Sequence, residues 1–296
     1  MLAPAHRVDG LVDWPAEPER VGRWPVYVDF DDSVLDRDHL MSSGGASSID
    51  RGKGLVANVR RAVRRIVNPD TVTRRNVDVL VDALHRESGT SVLPVVLVVG
   101  GGEIGNGADR LYTDPRVEVV AFDIYAGPNV QFVADAHRIP FADGSVDAVV
   151  VQAVLEHVLD PARVVAEIHR VLRPDGIVYA ETPFLQQVHE AAYDFTRFTE
   201  SGHRWLFREF SRMDSGVVGG PGVQLIWTLG AVVTGLTRSR TAGRLTRLAL
   251  FWLRFMDHVI PASYQVDGAC GVYFMGRRSE AALPAAEMPV QYRGAQ

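Results

Sequence analysis

The chain has 296 residues, with 31 Lys and Arg against 36 Asp and Glu and a formal net charge of −5. This mild acidity argues against a nucleic-acid-binding protein, and a hydrophobic content of 47% argues against a disordered chain. The single cysteine, Cys270, excludes an internal disulfide framework and a zinc site built from several cysteines. Because the N-terminal residues lack a basic start followed by an apolar run, we expect no signal peptide and a cytoplasmic protein.

Residues 1–92 are expected to form an extension ahead of the main domain. Residues 1–54 are rich in Pro, Gly, Ser and Asp, and are predicted to be partly loop, with a short strand at 24–30 and a loop at 41–48. Residues 55–92 form a helical leader, because apolar positions recur at helical spacing on either side of Asn68-Pro69. The first helix has a basic face, which is either solvated or a contact for an acidic ligand or membrane. The arginines of this face are Arg60, Arg61, Arg64 and Arg65.

From residue 93 onward, short apolar runs alternate with helical patterns. A helix is predicted at 161–172, because Asp160 is a favourable N-cap and Pro161 suits the first helical position. The apolar runs are rich in Val and Ile, which indicates strands that are covered on both faces. The predicted strands are 95–99, 117–122, 130–133, 146–151 and 177–181. The pattern therefore predicts an α/β fold with a mostly parallel sheet flanked by helices.

A glycine-rich loop follows the first of these strands in the segment VVLVVGGGEIGNG, residues 95–107. Gly100, Gly102 and Gly105 match the spacing G-x-G-x-x-G, and the loop is predicted to lead into a helix with free N–H groups. Asp123, at the end of the second strand, is placed to accept both hydroxyls of a ribose. These residues predict an adenosine-containing cofactor at the carboxyl ends of the strands. An NAD-binding domain, or a glycine-rich turn without a ligand, fits the loop as well.

Four further motifs follow in order between residues 129 and 183. They are Asp135-Ala136, PFADGSVD at 140–147, Leu155-Glu156-His157, and LRPDG at 172–176. With the glycine loop, this order and spacing resembles class I S-adenosylmethionine-dependent methyltransferases, of the broad type 11 that includes the ubiquinone and menaquinone methylases. The resemblance extends over residues 93–183 and, weakly, over 184–211.

The resemblance implies a Rossmann-like sheet of seven mostly parallel strands, in which the seventh lies antiparallel between the fifth and the sixth. The methyltransferase domain is placed at 93–280, followed by a C-terminal tail at 281–296. Residues 211–223 and 269–277 are expected to supply the sixth and seventh strands. A helical insertion at 224–260 is expected between them.

The resemblance also implies which residues bind the cofactor. The Asp135 carboxylate would hydrogen-bond the adenine amino group, and Ala136 would pack on the ring. The residues predicted to bind S-adenosylmethionine are Gly100, Gly101, Gly102, Gly105, Asp123, Ile124, Asp135, Ala136, Gln152 and His157. One position departs from the family pattern, because the acidic residue expected two positions before the first glycine is Val98. Glu103 is a candidate to compensate.

The segment after the fifth strand, residues 181–207, is dense in polar and aromatic residues. It resembles the H-E-x-x-Y-D-F-x-R-[FY]-T stretch of methyltransferases associated with bacterial glycans. In that context we expect His189 to be the general base, oriented by Asp194 or Glu190. The residues predicted to contact the acceptor are Tyr193, Arg197 and His203. A surface histidine and a structural Asp194–Arg197 ion pair are the competing interpretations. His189, Glu190 and Asp194 are also considered as ligands of a divalent ion, but no metal site is predicted.

The apolar content of residues 224–260 exceeds what an insertion needs for its own packing. A lid over an apolar acceptor, a homodimer interface, and a peripheral membrane or lipid contact each account for it. Residues 215–237 contain no charged side chain, but their glycines and Pro221 favour a buried strand followed by an apolar helix over a membrane span.

The motifs together predict an S-adenosylmethionine-dependent methyltransferase that methylates a hydroxyl of a sugar, a glycan or another small metabolite. A catalytically silent scaffold of the same fold is the alternative that Val98 supports, and an NAD-dependent oxidoreductase is a further one. A nucleic-acid substrate is not expected, because Gln152-Ala153-Val154-Leu155 stands where an N-P-P-Y-like motif would follow the fourth strand.

Overall fold

A mixed sheet of nine strands runs through the described part of the chain. The computed structural model describes residues 8–15, 17–45, 71–87 and 92–296. The strands are β1 Glu19–Val21, β2 Trp24–Tyr27, β3 Val95–Val99, β4 Glu118–Asp123, β5 Phe132–Ala134, β6 Val146–Gln152, β7 Leu172–Pro183, β8 Phe210–Gly219 and β9 Gly271–Arg278. They lie in the order β1-β2-β5-β4-β3-β6-β7-β9-β8.

Strands β3 to β9 confirm the predicted seven-stranded arrangement. Strands β3 to β7 pair in parallel, and β9 lies antiparallel between β7 and β8. The two additional strands belong to the N-terminal extension, where β1 pairs with β2 and β2 pairs in parallel with β5. The sequence predicts the strand at 24–30 but not its place in the sheet, because a short apolar run carries no signal for its partner.

The sheet is flanked by helices, and α4 begins where the sequence predicts. The helices of the described residues are α1 Val8–Leu11, α2 Arg37–Ser42, α3 Thr71–Glu87, α4 Pro161–Val171, α5 Glu200–Leu206, α6 Pro221–Thr237, α7 Arg240–Ala249, α8 Ala262–Asp267 and α9 Met288–Gln291. The Asp160 side chain caps α4 by accepting from the Arg163 N–H at 3.0 Å. The helix ends one residue earlier than predicted because Leu172 is extended and begins β7.

The two faces of the sheet are covered by different helices. Along β3, Val95, Leu97 and Val99 pack in one cluster with α4 residues, whereas Val96 and Val98 pack in another with α3 residues. Successive side chains of a strand point to opposite faces, so β3 is buried on both sides, as its valine run predicts. The helices leave the carboxyl ends of the parallel strands open at one edge of the sheet.

The helix predicted directly after the glycine loop is not present. Residues 101–117 form a series of turns, with backbone hydrogen bonds from Ala108 N to Gly105 O and from Leu111 N to Ala108 O. Gly107 is left-handed at a φ of 82°, which interrupts helical geometry. Glycine, asparagine and aspartate, which are poor helix formers, make up seven of the 17 residues of the segment. Any N–H groups offered to a ligand here therefore come from the loop itself.

The N-terminal leader is described in part. The first predicted helix lies outside the described residues, and so do its basic face and the boundary at Asn68-Pro69. The second predicted helix is α3, whose Val77, Leu80 and Leu84 are buried in the core.

The predicted helical insertion between the sixth and seventh strands is present, but it runs from Pro221 to Asp267 rather than over 224–260, because the sixth strand ends at Gly219 and not at residue 223. It consists of α6, α7, a 3-10 helix at Phe251–His258, and α8. The uncharged residues 215–237 divide between β8 and α6, as the glycines and Pro221 indicate. Among the described residues, no helix is both long enough and apolar enough to cross a membrane.

The turns before β4 are held by a charged pair that gives a stability prediction. The Arg116 side chain donates to both oxygens of Asp114, at 2.9 and 2.8 Å, and these hydrogen bonds lower the pKa of Asp114 from 3.8 to about 2. We expect Asp114→Asn to lower the free energy of unfolding by about 1–2 kcal/mol at pH 7.

A lowered pKa stabilises the fold above the ordinary value and loses that contribution as the pH falls through the folded value. The difference between wild type and Asp114→Asn should therefore shrink as the pH falls from 4 towards 2. Urea unfolding at a series of pH values measures it, with the exposed Asp38→Asn as the control. A difference that stays constant with pH would show that the pair does not stabilise the fold in this way.

Candidate functional site

A cavity of about 800 Å³ opens at the carboxyl ends of β3 to β7. Every residue predicted to bind the cofactor lines it except Gly101. Gly101 lies behind the loop, where its N–H donates to Phe122 O at 2.8 Å. A side chain at position 101 would meet Ala121 Cβ at 2.7 Å. Of the residues predicted for acceptor chemistry, His189 and Tyr193 line the cavity, whereas Asp194, Arg197 and His203 do not.

The glycine loop lies too close to the ends of the neighbouring strands to carry side chains. Gly100 is left-handed at a φ of 74°, and a Cβ there would lie 2.2 Å from Val154 Cγ2. A Cβ on Gly102 would lie 2.7 Å from the Asp123 carboxylate. The loop therefore forms a backbone cradle against which a flat, polar ligand can approach closely. This cradle fits a nucleoside cofactor.

Asp123 ends β4 with its carboxylate oriented by the loop. Its Oδ2 accepts from the Gly102 N–H at 2.9 Å, and its Oδ1 accepts from the Tyr125 N–H at 3.2 Å. These two hydrogen bonds orient the carboxylate beside the glycine loop, where it lines the cavity. The geometry fits the predicted contact with a ribose.

Asp135 directly follows β5 and is held by the nearby His137 and by Ser33 of the N-terminal extension. Ser33 Oγ donates to its Oδ2 at 2.5 Å, and His137 donates to its Oδ1 from Nδ1 at 2.6 Å. Burial opposes ionisation, but these hydrogen bonds outweigh it and lower the pKa of Asp135. Because Asp160 N–H donates to His137 Nε2 at 3.1 Å, His137 is neutral and carries its proton on Nδ1. The carboxylate is therefore ionised near neutral pH, as a hydrogen bond to an adenine amino group requires.

Glu181, near the end of β7, places a buried carboxylate beside the glycine loop. It accepts from Thr73 Oγ1 and from Gln152 Nε2, each at 2.7 Å, and it lines the cavity. Val98 is buried among apolar residues against α3, so no acidic group stands at that position. The exposed Glu103 also lines the cavity. The site thus contains carboxylates near the loop although the usual acidic position is apolar.

Glu156, His157 and His189, named here the Glu156–His157–His189 cluster, converge on one side of the cavity. Glu156 is fully buried, and neither of its carboxylate oxygens has a hydrogen-bond partner within the described residues. His157 Nε2 lies 3.2 Å from His189 Nε2, and Glu156 Oε1 lies 3.6 and 3.7 Å from these two nitrogens. Burial raises the pKa of Glu156 to about 8 and lowers that of His157.

This cluster differs from the set of possible metal ligands considered in the sequence. Among the described residues, Glu156, His157 and His189 bring their ligand atoms close enough together to share an ion, whereas Glu190 and Asp194 are not part of that group. The adjacent Glu156-His157 pair contributes from the loop after β6, which the spacing within 189–194 could not reveal.

The loop that carries His189 is fixed by hydrogen bonds to Glu156 and Arg197. Phe195 N–H donates to the Glu156 carbonyl at 2.8 Å. Asp194 accepts from the His189 N–H at 2.9 Å and forms a two-point ion pair with Arg197. The structural ion pair considered in the sequence is therefore present. Asp194 Oδ2 also lies 3.4 Å from His189 Nδ1, on the side from which it can orient the ring.

The predicted acceptor contact at His203 needs correction. His203 is 2% exposed on α5 and lies between the rings of Phe198 and Phe207, at centroid distances of 6.1 and 5.0 Å. Burial lowers its pKa to about 3. His203 is therefore a neutral core residue outside the cavity. Its sequence neighbours Gly202 and Arg204 do not indicate that this turn of α5 points inward.

Four residues of the site were not identified from the sequence: Ser33, His137, Glu156 and Glu181. His137 directly follows the Asp135-Ala136 motif, and Glu156 lies inside the Leu155-Glu156-His157 motif, so both positions carried a usable signal. Glu181 ends a predicted strand and carried a weaker one. Ser33 lies in the extension, and nothing local indicates that it reaches Asp135.

The chain matches known methyltransferases over the same region. Residues 101–180 match the family described as a methyltransferase domain. The chain is 36% identical over 120 residues to a demethylmenaquinone methyltransferase of Renibacterium salmoninarum, covering 37% of this chain and 48% of that protein. It is 35% identical over 92 residues to a ubiquinone/menaquinone biosynthesis C-methyltransferase of Desulfotalea psychrophila, covering 27% and 37%. The chain thus spans about half the length of the curated relatives it matches first.

Among solved structures, the chain is similar to the 1,6-didemethyltoxoflavin-N1-methyltransferase of Burkholderia thailandensis, solved with 1,6-didemethyltoxoflavin and S-adenosylhomocysteine. The identity is 18%, the TM-score is 0.43, and the match covers 90% of this chain and 100% of that one. The family match, the strand order and the residues at the strand ends agree with one another. Residues 101–180 therefore match a methyltransferase domain, and the strand order around them is the one that the resemblance to class I S-adenosylmethionine-dependent methyltransferases implies.

Proposed function

We propose that this protein transfers a methyl group from S-adenosylmethionine to a hydroxyl of a sugar, a glycan or another small metabolite. The proposal rests on the residues that line one cavity. The glycine cradle with Asp123 and Asp135 lines one part, and the Glu156–His157–His189 cluster lines another. A cofactor site and a group able to accept a proton thus share a single space.

The residues of the chain would hold the cofactor and handle the acceptor's proton. When bound, S-adenosylmethionine supplies the methyl group on a sulfonium, so that transfer to a hydroxyl leaves S-adenosylhomocysteine and releases one proton. Asp123 would accept the ribose hydroxyls, and Asp135 would accept from the adenine amino group. Asp194 faces His189 Nδ1, which favours a proton on that nitrogen and leaves Nε2 as the general base for the acceptor hydroxyl.

A ring carbon of a quinol is the second candidate acceptor. The names of the two relatives above describe methylation in quinone biosynthesis, and Val154, Val158 and Trp227 give this cavity apolar walls. The same cluster would then deprotonate a phenolic hydroxyl rather than the atom that is methylated.

Incubation with methyl-labelled S-adenosylmethionine tests the proposal and separates the two acceptors. The protein would be mixed with fractionated cell extract or with a demethylmenaquinol, and the labelled product would be treated with hydriodic acid. A methyl ether releases its label as methyl iodide, whereas a carbon-bound methyl group keeps it. Label in no fraction, together with no formation of S-adenosylhomocysteine, would favour the silent scaffold.

We also propose that the insertion rests on an anionic lipid surface in the cytoplasm, beside the entrance to the cavity. Leu236 lies at the end of α6 and Leu245 lies within α7, and they are 81% and 60% exposed. Exposed arginines flank them in the sequence, namely Arg238, Arg240 and Arg244. Apolar side chains with neighbouring cations suit an anionic interface. Trp227 of α6 lines the cavity and stacks on Arg247 of α7 at 4.7 Å, which links this surface to the cavity wall.

Binding to anionic vesicles checks this second proposal. We expect Leu236→Asp and Leu245→Asp each to weaken co-sedimentation by about 10-fold or more, because each loses the burial of a leucine side chain. Val290→Asp, at an exposed apolar residue outside the insertion, is the matched control. Unchanged vesicle binding would contradict the proposal, and a dimer that the same variants dissociate would assign this surface to a second copy.

A further inference from the structure

We propose that Glu156, His157 and His189 bind a divalent transition-metal ion, with zinc as the ion their donor atoms suit best. The binding of this ion stands apart from the proposed methyl transfer, whereas its role in activating an acceptor rests on it. Two imidazoles and one carboxylate are a ligand set of catalytic zinc sites, which use three protein ligands and keep a further position open.

The separations between the three ligand atoms match those around a tetrahedral ion. Zinc bonds of about 2.0–2.2 Å place neighbouring ligand atoms about 3.3–3.6 Å apart. His157 Nε2 and His189 Nε2 are 3.2 Å apart, and Glu156 Oε1 lies 3.6 and 3.7 Å from them. The two histidines come from different segments, after β6 and in the loop after β7. Their convergence on Glu156 is therefore a product of the fold and not of local spacing.

The imidazole rings of His157 and His189 face each other with their Nε2 atoms. His157 Nδ1 donates to the Tyr193 carbonyl at 2.8 Å, so neutral His157 has a lone pair on Nε2. His189 has Asp194 at its Nδ1, which favours a lone pair on its Nε2 as well. Two lone pairs 3.2 Å apart repel unless a cation lies between or beside them. A shared proton is the simplest alternative to a metal ion.

Glu156 supplies an independent observation. It is 0% exposed, and neither carboxylate oxygen accepts a hydrogen bond within the described residues. Burying an unpaired carboxyl group costs free energy that a satisfied site would not incur. Coordination of a cation through Oε1 removes that cost, and the two Nε2 atoms already lie on the same side.

The surroundings of the cluster resemble the outer shell of a metal site. Metal-binding histidines commonly donate their second N–H to a carbonyl or a carboxylate, which fixes the ring. The Tyr193 carbonyl accepts from His157 Nδ1. The Asp194 carboxylate, held by Arg197, lies beside His189 Nδ1. The donors also select the ion, because imidazole nitrogens suit zinc and its neighbours, whereas magnesium prefers oxygen ligands.

The cluster lines the cavity, so the open position of the ion would face the acceptor. An acceptor hydroxyl bound there would have its pKa lowered by the ion. His189 would then act as a ligand, and the hydroxyl proton would pass to solvent rather than to its Nε2. This refines the assignment of His189 as the base without changing the reaction.

Metal titration of the chelator-treated full chain tests the inference without any assay of activity. We expect Zn²⁺ to bind stoichiometrically in competition with a chromophoric chelator, and Co²⁺ to give the visible absorption of a low-coordinate site with nitrogen ligands. Mg²⁺ should not compete. The substitutions Glu156→Gln, His157→Gln and His189→Gln should each lower Zn²⁺ affinity by at least about 100-fold, and Asp194→Asn by about 10- to 100-fold.

His258→Ala, at an exposed histidine outside the cavity, should leave Zn²⁺ binding unchanged. His189→Gln lies on a loop and keeps the test valid if the buried Glu156→Gln variant does not fold. Failure of the folded wild type to bind Zn²⁺ or Co²⁺, or binding that His189→Gln leaves intact, would overturn the inference and favour a shared proton.

Methyl transfer, measured separately before and after chelation, distinguishes the two proposals. Ion binding without methyl transfer to any acceptor would retain the site and reject the proposed function. Methyl transfer by a protein that binds no ion would retain the function and reject the site. Transfer that is lost on chelation and restored by Zn²⁺ would support both.

Discussion

Replacing Asp123 by alanine is expected to weaken the binding of S-adenosylhomocysteine by about 100-fold. The carboxylate ends β4, where the Gly102 and Tyr125 N–H groups orient it beside the cavity, and it is the group proposed to accept the ribose hydroxyls. Hydrogen bonds to a charged group contribute about 1.5–3 kcal/mol. Asp123→Asn should have a smaller effect of about 10-fold, because its amide oxygen can still accept one of them.

Calorimetric titration of each variant measures this loss. Asp38→Ala removes an exposed carboxylate outside the cavity and should bind S-adenosylhomocysteine as the unaltered chain does. An unfolding transition close to that of the wild type would show that Asp123→Ala has not simply lost its fold. Equal affinity for Asp123→Ala and wild type would mean that the ribose does not lie at the end of β4.

Replacing His189 by alanine is expected to lower the turnover number by about 100-fold or more, with little change in the affinity for S-adenosylhomocysteine. The side chain is 30% exposed and lies in the Glu156–His157–His189 cluster, away from the cradle formed by Gly100 and Gly102. Its loss removes a general base, or a ligand of the proposed ion, without touching the residues that hold the cofactor.

Turnover with the acceptor identified by labelling, measured beside the affinity for S-adenosylhomocysteine, checks this prediction. His258→Ala should retain wild-type turnover, because His258 is exposed and does not line the cavity. A His189→Ala variant with unchanged turnover would show that neither role belongs to His189. A parallel loss of cofactor affinity would instead place His189 in the cofactor site.

The central sheet was predictable because its pattern is local and repeated. Strands β3 and β6 are Val-rich runs, Asp123 ends β4, and Asp135 directly follows β5. The turns after Gly105 were mistaken for a helix because the dinucleotide-type spacing is usually followed by one. The extra strands β1 and β2 were not predictable, because pairing of β2 with β5 joins residues far apart in the sequence.

The cofactor half of the site was predictable for the same reason, and the acceptor half was not. Asp135 could be assigned from its motif, but its partner Ser33 lies 102 residues away. His189 was singled out from a dense polar segment, whereas its convergence with Glu156 depends on how the loop after β7 folds back. His203, from the same segment, turned inward because α5 packs its ring against Phe207.

The cavity at the strand ends is expected to bind S-adenosylmethionine. Calorimetric titration of the unaltered full chain with S-adenosylhomocysteine, and separately with NAD⁺, tests this most directly. Saturable binding of S-adenosylhomocysteine, at one site per chain and undisturbed by NAD⁺, is the predicted result. Binding of NAD⁺ with no affinity for S-adenosylhomocysteine would contradict this expectation and identify an oxidoreductase site instead.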